Sequence, residues 1–507
     1  MFAQALARTA QIFGNRPAVI SPTGQATWLE FFGQVQSVAH GLRKLGLKPG
    51  DRVAVLAENS VEHLIIMYAV VWAGCVLVPL NTRLSVQEMT QIIEEAGATA
   101  FAGDSKNKHA FLSLAPAIRQ TMELIDLDGN TGLGNPLAEL ADNDGMDPWK
   151  AEMSDIAALF YTGGTTGRPK GVMVSDGALT VQTLNLVNDL SISSETVYVH
   201  APPIFHLAGA GVAHACSFTG ATHVFPGDLS SDTFLRIVTD YRVTLVSLIP
   251  TMLADMMEAP NVGEAFKAVQ TIVYGAAPIS EVLLRKVIEQ CPDVDLVQIY
   301  GQTECTGPCL ILPPERHTLS GSLAGKLNTA GRANMTSEVR IADETGQTAS
   351  PGVAGEILIR GPSVMLGYWK QPEITEQTLK DGWLHTGDVG VMDKDGYVRI
   401  ADRLKDMIVT GGENVFCGEV ENAISEHPDT ITCAVVGLPD KKWGERVHAV
   451  VVVTDENTLT EVGLRDHCKT LLAGYKCPRS ATFTTDPLPL SAVGKVRKDL
   501  LRDQITG

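Results

Sequence analysis

The chain has 507 residues, 45% of them hydrophobic and 19% charged, with a formal net charge of −18. That length exceeds one ordinary domain, the composition is that of a globular protein rather than a disordered or fibrous one, and the acidic balance argues against broad contact with nucleic acid or an anionic membrane face. The nine cysteines are scattered without a Cys-x-x-Cys pair and leave an odd count, which points away from a disulfide framework or zinc site and toward a reducing cytosol.

The first residues, Met1-Phe2-Ala3-Gln4-Ala5-Leu6-Ala7-Arg8, lack a basic region followed by an apolar run, so no signal peptide is expected. From about residue 17 to 103, short apolar runs alternate with amphipathic stretches. Ala18-Val19-Ile20, Val53-Ala54-Val55-Leu56, Val76-Leu77-Val78 and Thr99-Ala100-Phe101-Ala102 read as strands. Thr27-Trp28-Leu29-Glu30 and Ser85-Val86-Gln87-Glu88 have the capping-box form, a hydroxyl followed three residues on by Glu. The most apolar stretch, 64 to 80, is shorter than a membrane span of about 20 residues and contains Gly74 and Pro79; it predicts a buried helix followed by a buried strand.

Three further apolar runs follow, at 243–250, 271–275 and 296–301, and the last two end in Gly275 and Gly301. Strands alternating with helices predict an α/β fold with largely parallel sheets, in which ligands gather at the carboxyl ends of strands. Glycine there lets backbone approach a ligand; a tight turn asks for the same residue. Turn and charged residues crowd 381–415, and beyond them the pattern predicts a helix, strands near 432–437 and 447–453, another helix and a basic tail. The expected domains are therefore 1–401 and a smaller one at 402–507.

The strongest local signal is Tyr161-Thr162-Gly163-Gly164-Thr165-Thr166-Gly167-Arg168-Pro169-Lys170-Gly171. Free N–H groups and hydroxyls in such a loop can wrap a triphosphate, with Lys170 supplying positive charge. It is not the Walker loop, because the Gly-Lys-Ser/Thr ending is absent. A flexible surface loop is the plainer alternative.

This stretch resembles the phosphate-binding signature of the adenylate-forming superfamily, which includes acyl-CoA synthetases, peptide-synthetase adenylation domains and beetle luciferases; the common form has Ser at the position of Gly163. Further segments fall in the family's order along nearly the whole chain. Gly275-Ala276-Ala277-Pro278 and Tyr300-Gly301-Gln302-Thr303-Glu304 resemble the segments flanking adenine and the α-phosphate. Tyr300 offers a flat face for the base, Thr303 a hydroxyl for phosphate, and Glu304 a hard oxygen ligand for Mg²⁺. Thr386-Gly387-Asp388 and Asp402-Arg403-Leu404-Lys405-Asp406 resemble the ribose-binding turn and the hinge between domains, with Asp388 accepting from ribose hydroxyls and Arg403 donating to ribose or phosphate.

Pro489-Leu490-Ser491-Ala492-Val493-Gly494-Lys495 resembles the loop that delivers the family's adenylation lysine, here Lys495. Thr410-Gly411-Gly412-Glu413-Asn414-Val415 resembles the lining of the pantetheine tunnel, and Trp443 a residue that stacks on the nucleotide end of CoA in some aryl-CoA ligases; a turn and ordinary packing are the alternatives. In Tyr475-Lys476-Cys477-Pro478-Arg479 some relatives have a cation at Cys477. Pro203-Ile204-Phe205-His206-Leu207-Ala208-Gly209 resembles the acid-pocket segment, where amino-acid-activating relatives have Asp at the position of His206, so a plain carboxylic acid is favoured. Gly209, Ala210, Gly211 and Ala213 leave room for an apolar or aromatic tail, or for close helix packing.

The resemblance implies a large N-terminal domain of mainly parallel sheets and helices with a small mobile α+β C-terminal domain. The implied activity is a cytoplasmic AMP-forming acyl-CoA synthetase of fatty or aromatic acid metabolism, using ATP, Mg²⁺ and coenzyme A, with Lys495, Glu304 and His206 as catalytic residues. The implied partners are these small molecules, with no nucleic acid and no integral membrane segment; a homo-oligomer is compatible with the sequence. Loading of a carrier-protein thiol shares every motif of the first half-reaction, and a regulatory protein that binds nucleotide without catalysis is the reading from another class.

Overall fold

The structure is a computed structural model that describes residues 2–141, 145–162, 169–227, 230–277, 279–404, 406–456, 458–490 and 496–506. Two large sheets carry the first part of the chain. In the seven-stranded sheet the order runs Asn135–Pro136, Glu123–Asp126, Ala98–Gly103, Arg52–Leu56, Val76–Pro79, Ile156–Thr162 and Lys170–Ser175, parallel throughout except for the last hairpin. The nine-stranded sheet has a parallel centre of Pro17–Ser21, Thr222–Val224, Val197–Val199, Leu245–Leu248, Thr271–Gly275 and Asp295–Gln302, with antiparallel strands at both margins. Strands buried on both faces are continuously apolar, which is why these runs stood out in the sequence.

Helix Val61–Trp72 is apolar all round and buried from His63 to Trp72, as a helix enclosed on every side must be. Strand Val76–Pro79 follows it, fully buried. Both predicted capping boxes are present with their reciprocal bonds, Thr27 with Glu30 and Ser85 with Glu88. Each supplies side-chain acceptors for backbone N–H donors that a helix start leaves unpaired.

A five-stranded antiparallel sheet of Glu338–Ala342, Ala354–Arg360, Trp383–Met392, Leu379–Lys380 and Val398–Arg403 connects these layers to the end of the chain. The last sheet joins Glu413–Val415, Ile408–Thr410, Gly444–Val453 and Thr430–Asp440, with Ser480–Thr484 added in parallel. It has its own apolar core, including Ile408, Val420, Val435, Val447 and Leu464. Two elements here differ from the sequence reading: Ser480–Thr484 is a strand, and the stretch read as a basic tail contains helix Lys498–Thr506. Among the described residues no helix is long and apolar enough to cross a membrane.

Candidate active site

Strands Thr271–Gly275 and Asp295–Gln302 lie side by side in parallel, with Gly275 opposite Ile299. A β-carbon at Gly275 would run into the carbonyl oxygen of Ile299, and one at Gly301 into that of Gly307. Neighbouring strands therefore require both glycines. The backbone that turns away from the strand is at Ala276, whose φ of 65° is left-handed, a strained state for a residue with a β-carbon. Ala277 follows it, half-buried, and Pro278 lies outside the described residues.

The half-buried Tyr300 extends from the second of these strands, and its hydroxyl donates to Asp388 Oδ2 at 2.6 Å. Asp388 and Arg403 are register partners on Trp383–Met392 and Val398–Arg403, and Arg403 Nε lies 3.2 Å from Asp388 Oδ1. Burial pushes the Tyr300 phenol far above its ordinary range, with the Asp388 charge adding to the shift, so the phenol stays protonated as the donor. Asp388 is 6% exposed. Its two oxygens have about four acceptor positions in all, so these two partners leave capacity for ribose hydroxyls.

Two residues that the sequence reading did not assign hold this turn. Gln302 Nε2 donates to the Thr386 carbonyl at 3.3 Å, and Glu356 Oε1 accepts from the Gly387 N–H at 3.0 Å while its other oxygen meets His385 Nδ1 at 2.7 Å. The Gly387 carbonyl accepts in turn from Leu404 N–H at 2.8 Å, directly after the hinge candidate Asp402-Arg403.

Thr303 and Glu304 sit together on the 3₁₀ turn Thr303–Cys305 that ends the Tyr300 strand. Glu304 Oε1 accepts from the hydroxyl of Tyr368 at 2.8 Å, and the Lys170 ammonium stands 5.1 Å from the centre of the same ring. Tyr368 thus links the metal-ligand candidate to the phosphate-loop cation, a role nothing in its local sequence marks. Thr162 pairs with Lys170 across a hairpin, which brings both ends of the candidate phosphate loop together. Gly163, Gly164, Thr165, Thr166 and Gly167 lie outside the described residues.

Among the described residues no group of three or more His, Cys, Asp or Glu side chains is placed to hold a metal. A lone carboxylate with one oxygen engaged by Tyr368 suits Mg²⁺, which commonly takes one or two protein carboxylates and completes its octahedron with phosphate oxygens and water. The residues present fit that ion in company with a nucleotide.

His206 is the N-cap residue of the almost wholly buried helix Leu207–Thr219, and Asn81 Nδ2 lies 3.4 Å from its Nε2. A β-carbon at Gly209 would meet the carbonyl of Pro203, and one at Gly211 the Leu186 side chain at 2.9 Å. Close packing thus accounts for these two small residues.

In the C-terminal sheet, Gly411 and Gly412 form the two-residue turn between Ile408–Thr410 and Glu413–Val415, with φ of 62° and 86°. Left-handed backbone at both positions is what a tight hairpin of this kind requires. The Gly411 N–H donates to the Trp443 carbonyl at 2.8 Å, and a β-carbon on Gly411 would come within 2.8 Å of the indole. The Arg479 guanidinium and Lys442 ammonium lie 4.4 and 4.7 Å from the Trp443 ring centre. Cys477 is 2% exposed within the C-terminal core, so its thiol faces the sheet and not a solvent-borne phosphate. Lys495 lies outside the described residues; Leu490 and Val496, on either side of its loop, pair in an antiparallel bridge.

The model of a family described as AMP-binding enzyme matches residues 6–369, and that of the AMP-binding enzyme C-terminal domain matches residues 419–495. The chain is 35% identical over 497 residues to a feruloyl-CoA synthase of Amycolatopsis sp, covering 98% of this chain and 97% of that protein. It is 33% identical over 518 residues to the fatty acid–[acyl-carrier-protein] ligase ScoC of Streptomyces coeruleorubidus, with 98% and 95% covered. The solved structure of the O-succinylbenzoate coenzyme A synthetase MenE from Bacillus subtilis, in complex with ATP and magnesium ion, superimposes with a TM-score of 0.85 at 29% identity, with 99% of each chain covered.

Proposed function

The chain belongs to the AMP-binding enzyme family, and from that premise we propose that it joins a carboxylic acid to coenzyme A in two half-reactions. It is an AMP-forming acid–thiol ligase that uses ATP. In the first half-reaction a carboxylate oxygen of the acid attacks the α-phosphorus, the bond to the bridging oxygen breaks, and pyrophosphate leaves. Asp388 and Arg403 hold the ribose, Tyr300 lies against the base, and Thr303 donates to the α-phosphate. Gly275, Ala276, Ala277 and Gly301 form the backbone rim around the base. Lys170 and the hydroxyls of the 162–170 loop take the outer phosphates, and Lys495 bridges the acid's carboxylate and the α-phosphate. Glu304 would hold Mg²⁺, which supplies charge neutralisation at the phosphates when bound.

In the second half-reaction the unit from Asp402 onward reorients, withdrawing Lys495 and presenting the Gly411-Gly412 turn. The thiol sulfur attacks the acyl carbonyl carbon, the bond to the phosphate oxygen breaks, and AMP leaves. Trp443 meets the nucleotide end of CoA. His206 orients the acid's carboxylate within the 202–206 loop.

The observation that carries this reading is the meeting of Tyr300, Asp388 and Arg403, one from each of three strands, beside the N–H of Leu404 that bonds Gly387. A ribose carboxylate built directly onto the hinge suits an enzyme that keeps its nucleotide while its C-terminal unit moves. The test measures pyrophosphate release across cinnamate-like, benzoate-like and fatty acids, with and without CoA. The likeness to an acyl-carrier-protein ligase supports a second reading for the acceptor, which a phosphopantetheinylated carrier protein in place of CoA examines in the same assay.

A further inference from the structure

The segment 200–206 leaves the carboxyl end of Val197–Val199 and reaches His206 through Pro202 and Pro203, which have no N–H to offer a neighbouring strand. Its backbone is held instead by a side chain from the connection that follows strand Arg52–Leu56 of the other large sheet. The Ile204 N–H donates to Asn59 Oδ1 at 2.8 Å, and Asn59 Nδ2 donates to the Pro202 carbonyl at 2.9 Å. A primary amide has the donor and acceptor of a peptide group, so Asn59 takes the place of a strand partner for positions 202 and 204.

Asn59 is itself fixed on both sides. The preceding Glu58 N–H donates to Asp104 Oδ2 at 2.8 Å, the Glu58 carbonyl meets His63 Nδ1 at 3.0 Å, and Ser60 caps the helix that follows. A second asparagine acts on the end of the same segment. Asn81 follows Val76–Pro79, the strand parallel to Arg52–Leu56 from which Asn59 extends. The Asn81 Oδ1 accepts from the Arg83 N–H at 2.9 Å, which turns its amide NH₂ toward His206 Nε2 at 3.4 Å. With the amide NH₂ as the donor, this contact favours the tautomer in which Nε2 is the acceptor.

We propose that Asn59 and Asn81 are positioning residues for acid recognition: Asn59 sets the path of the 202–206 backbone, and Asn81 sets the ring orientation and tautomer of His206. This inference rests on the reading of 203–209, with His206 in it, as the acid-pocket segment. Among the described residues the hydrogen bonds of Asn59 and Asn81 to other segments go to 200–206 and not to Tyr300, Asp388 or Arg403, so the pair is expected to act on the acid more than on ATP.

The experiment is ATP–pyrophosphate exchange with the acid that turns over fastest among ferulate, benzoate and decanoate, on Asn59→Ala, Asn59→Asp, Asn81→Asp and His206→Ala. Asn59→Ala is expected to raise KM for the acid at least about tenfold while KM for ATP stays within about twofold, since one hydrogen bond of ordinary strength corresponds to about a factor of ten. Asn59→Asp keeps the acceptor for Ile204 but sets a carboxylate oxygen against the Pro202 carbonyl, so an acid KM at least as high as that of Asn59→Ala is expected with the ATP KM again unchanged; it also serves if the alanine variant does not fold. Asn81→Asp places a carboxylate against His206 and is expected to move the pH profile of acid-dependent kcat/KM upward. Hydrogen–deuterium exchange of the peptide containing Ile204 should quicken in Asn59→Ala.

Parallel changes in both KM values, or none in either, would overturn the positioning role if His206→Ala raises the acid KM. If His206→Ala also leaves the acid KM unchanged, the reading of the segment as the acid site fails and the inference falls with it.

Discussion

The Tyr300 hydroxyl donates to Asp388 Oδ2 at 2.6 Å, so the residue assigned to the base also holds the residue assigned to the ribose. Tyr300→Phe keeps the flat face and removes only the donor. A hydrogen bond to a charged group is worth about 1.5–3 kcal/mol, so we expect KM for ATP in pyrophosphate exchange to rise about tenfold with the acid KM unchanged. Asp388→Asn should cost more, because the amide presents one acceptor oxygen where the carboxylate presented two. An unchanged ATP KM in Tyr300→Phe would show that Asp388 is placed without it.

Glu304 is bonded to Tyr368, whose ring stands beside Lys170. Glu304→Gln retains a carbonyl for the Tyr368 hydroxyl and is a poorer ligand for a hard cation. The Mg²⁺ concentration for half-maximal exchange should rise several-fold at constant thermal stability. Full exchange across the titration would remove Glu304 as the metal ligand.

Four buried histidines, His63 in helix Val61–Trp72, His200 at the start of the 200–206 segment, His214 within helix Leu207–Thr219 and His223 in strand Thr222–Val224, give the fold an acid limit. Burial holds His63 at a pKa of about 4 and both His214 and His223 at about 3, and His200 is also lowered well below its ordinary value. The unfolded chain protonates these rings near pH 6.5 and the folded chain does not, so the unfolded state binds more protons between the two values. Their contribution is fully present above about pH 6.5 and is lost as pH falls toward the folded values, by about 2 kcal/mol for each ring at about pH 5. His214, packed edge-on to Phe2 at 4.6 Å, is the simplest to replace. In His214→Phe the fall in Tm between about pH 7.5 and about pH 5.5 should be smaller than in the parent; an equal fall would mean that His214 does not titrate with unfolding.

Much of the fold was legible because its parallel strands are buried on both faces and its helix starts use short-range chemistry. Residues 53–56 and Val76–Pro79 are continuous apolar runs, and Thr27 finds Glu30 three residues away. Ser480–Thr484 was hidden because a half-buried strand of small and hydroxyl residues has no apolar run to mark it. At the site, residues that touch ligands in the resemblance were visible as motifs, whereas those that hold them were not. Tyr368 is 64 residues from Glu304 and Asn59 is 145 from Ile204, distances over which local pattern has no information. Gly275 and Gly301 drew notice for approach to a ligand, while the packed strands beside them are what exclude a β-carbon.

Lys495 belongs to the loop whose ends are joined by the pairing of Leu490 with Val496. In the proposed mechanism it acts in the first half-reaction and leaves before the second. Lys495→Ala should therefore lose pyrophosphate exchange by about a hundredfold to a thousandfold, the scale of removing one preorganised group from a transition state. The same variant should convert supplied acyl-AMP and CoA to thioester at close to the parental rate. Equal loss of both reactions would end this division of labour.

Gly412 separates thiol transfer from adenylate formation most sharply. Its neighbour Gly411 is packed against Trp443, so a side chain at 411 would disturb the C-terminal sheet, whereas among the described residues nothing lies within 4 Å of a β-carbon on Gly412. At φ of 86° a leucine there is strained by roughly 1–2 kcal/mol, which should show as a modest fall in Tm. In the proposed mechanism the added bulk projects from the hairpin that the second half-reaction brings to the acyl group. Gly412→Leu should then keep normal pyrophosphate exchange while thioester formation falls at least about a hundredfold, since misplacing a reacting group by about 1 Å can cost that much. Gly412→Ala separates strain from bulk: it carries the same left-handed strain with little added volume, so it should share the fall in Tm and retain most thioester formation. If the two variants lose thioester formation equally, the turn matters for its backbone and the tunnel assignment is removed. If the leucine variant forms thioester at the parental rate, the thiol does not pass this turn.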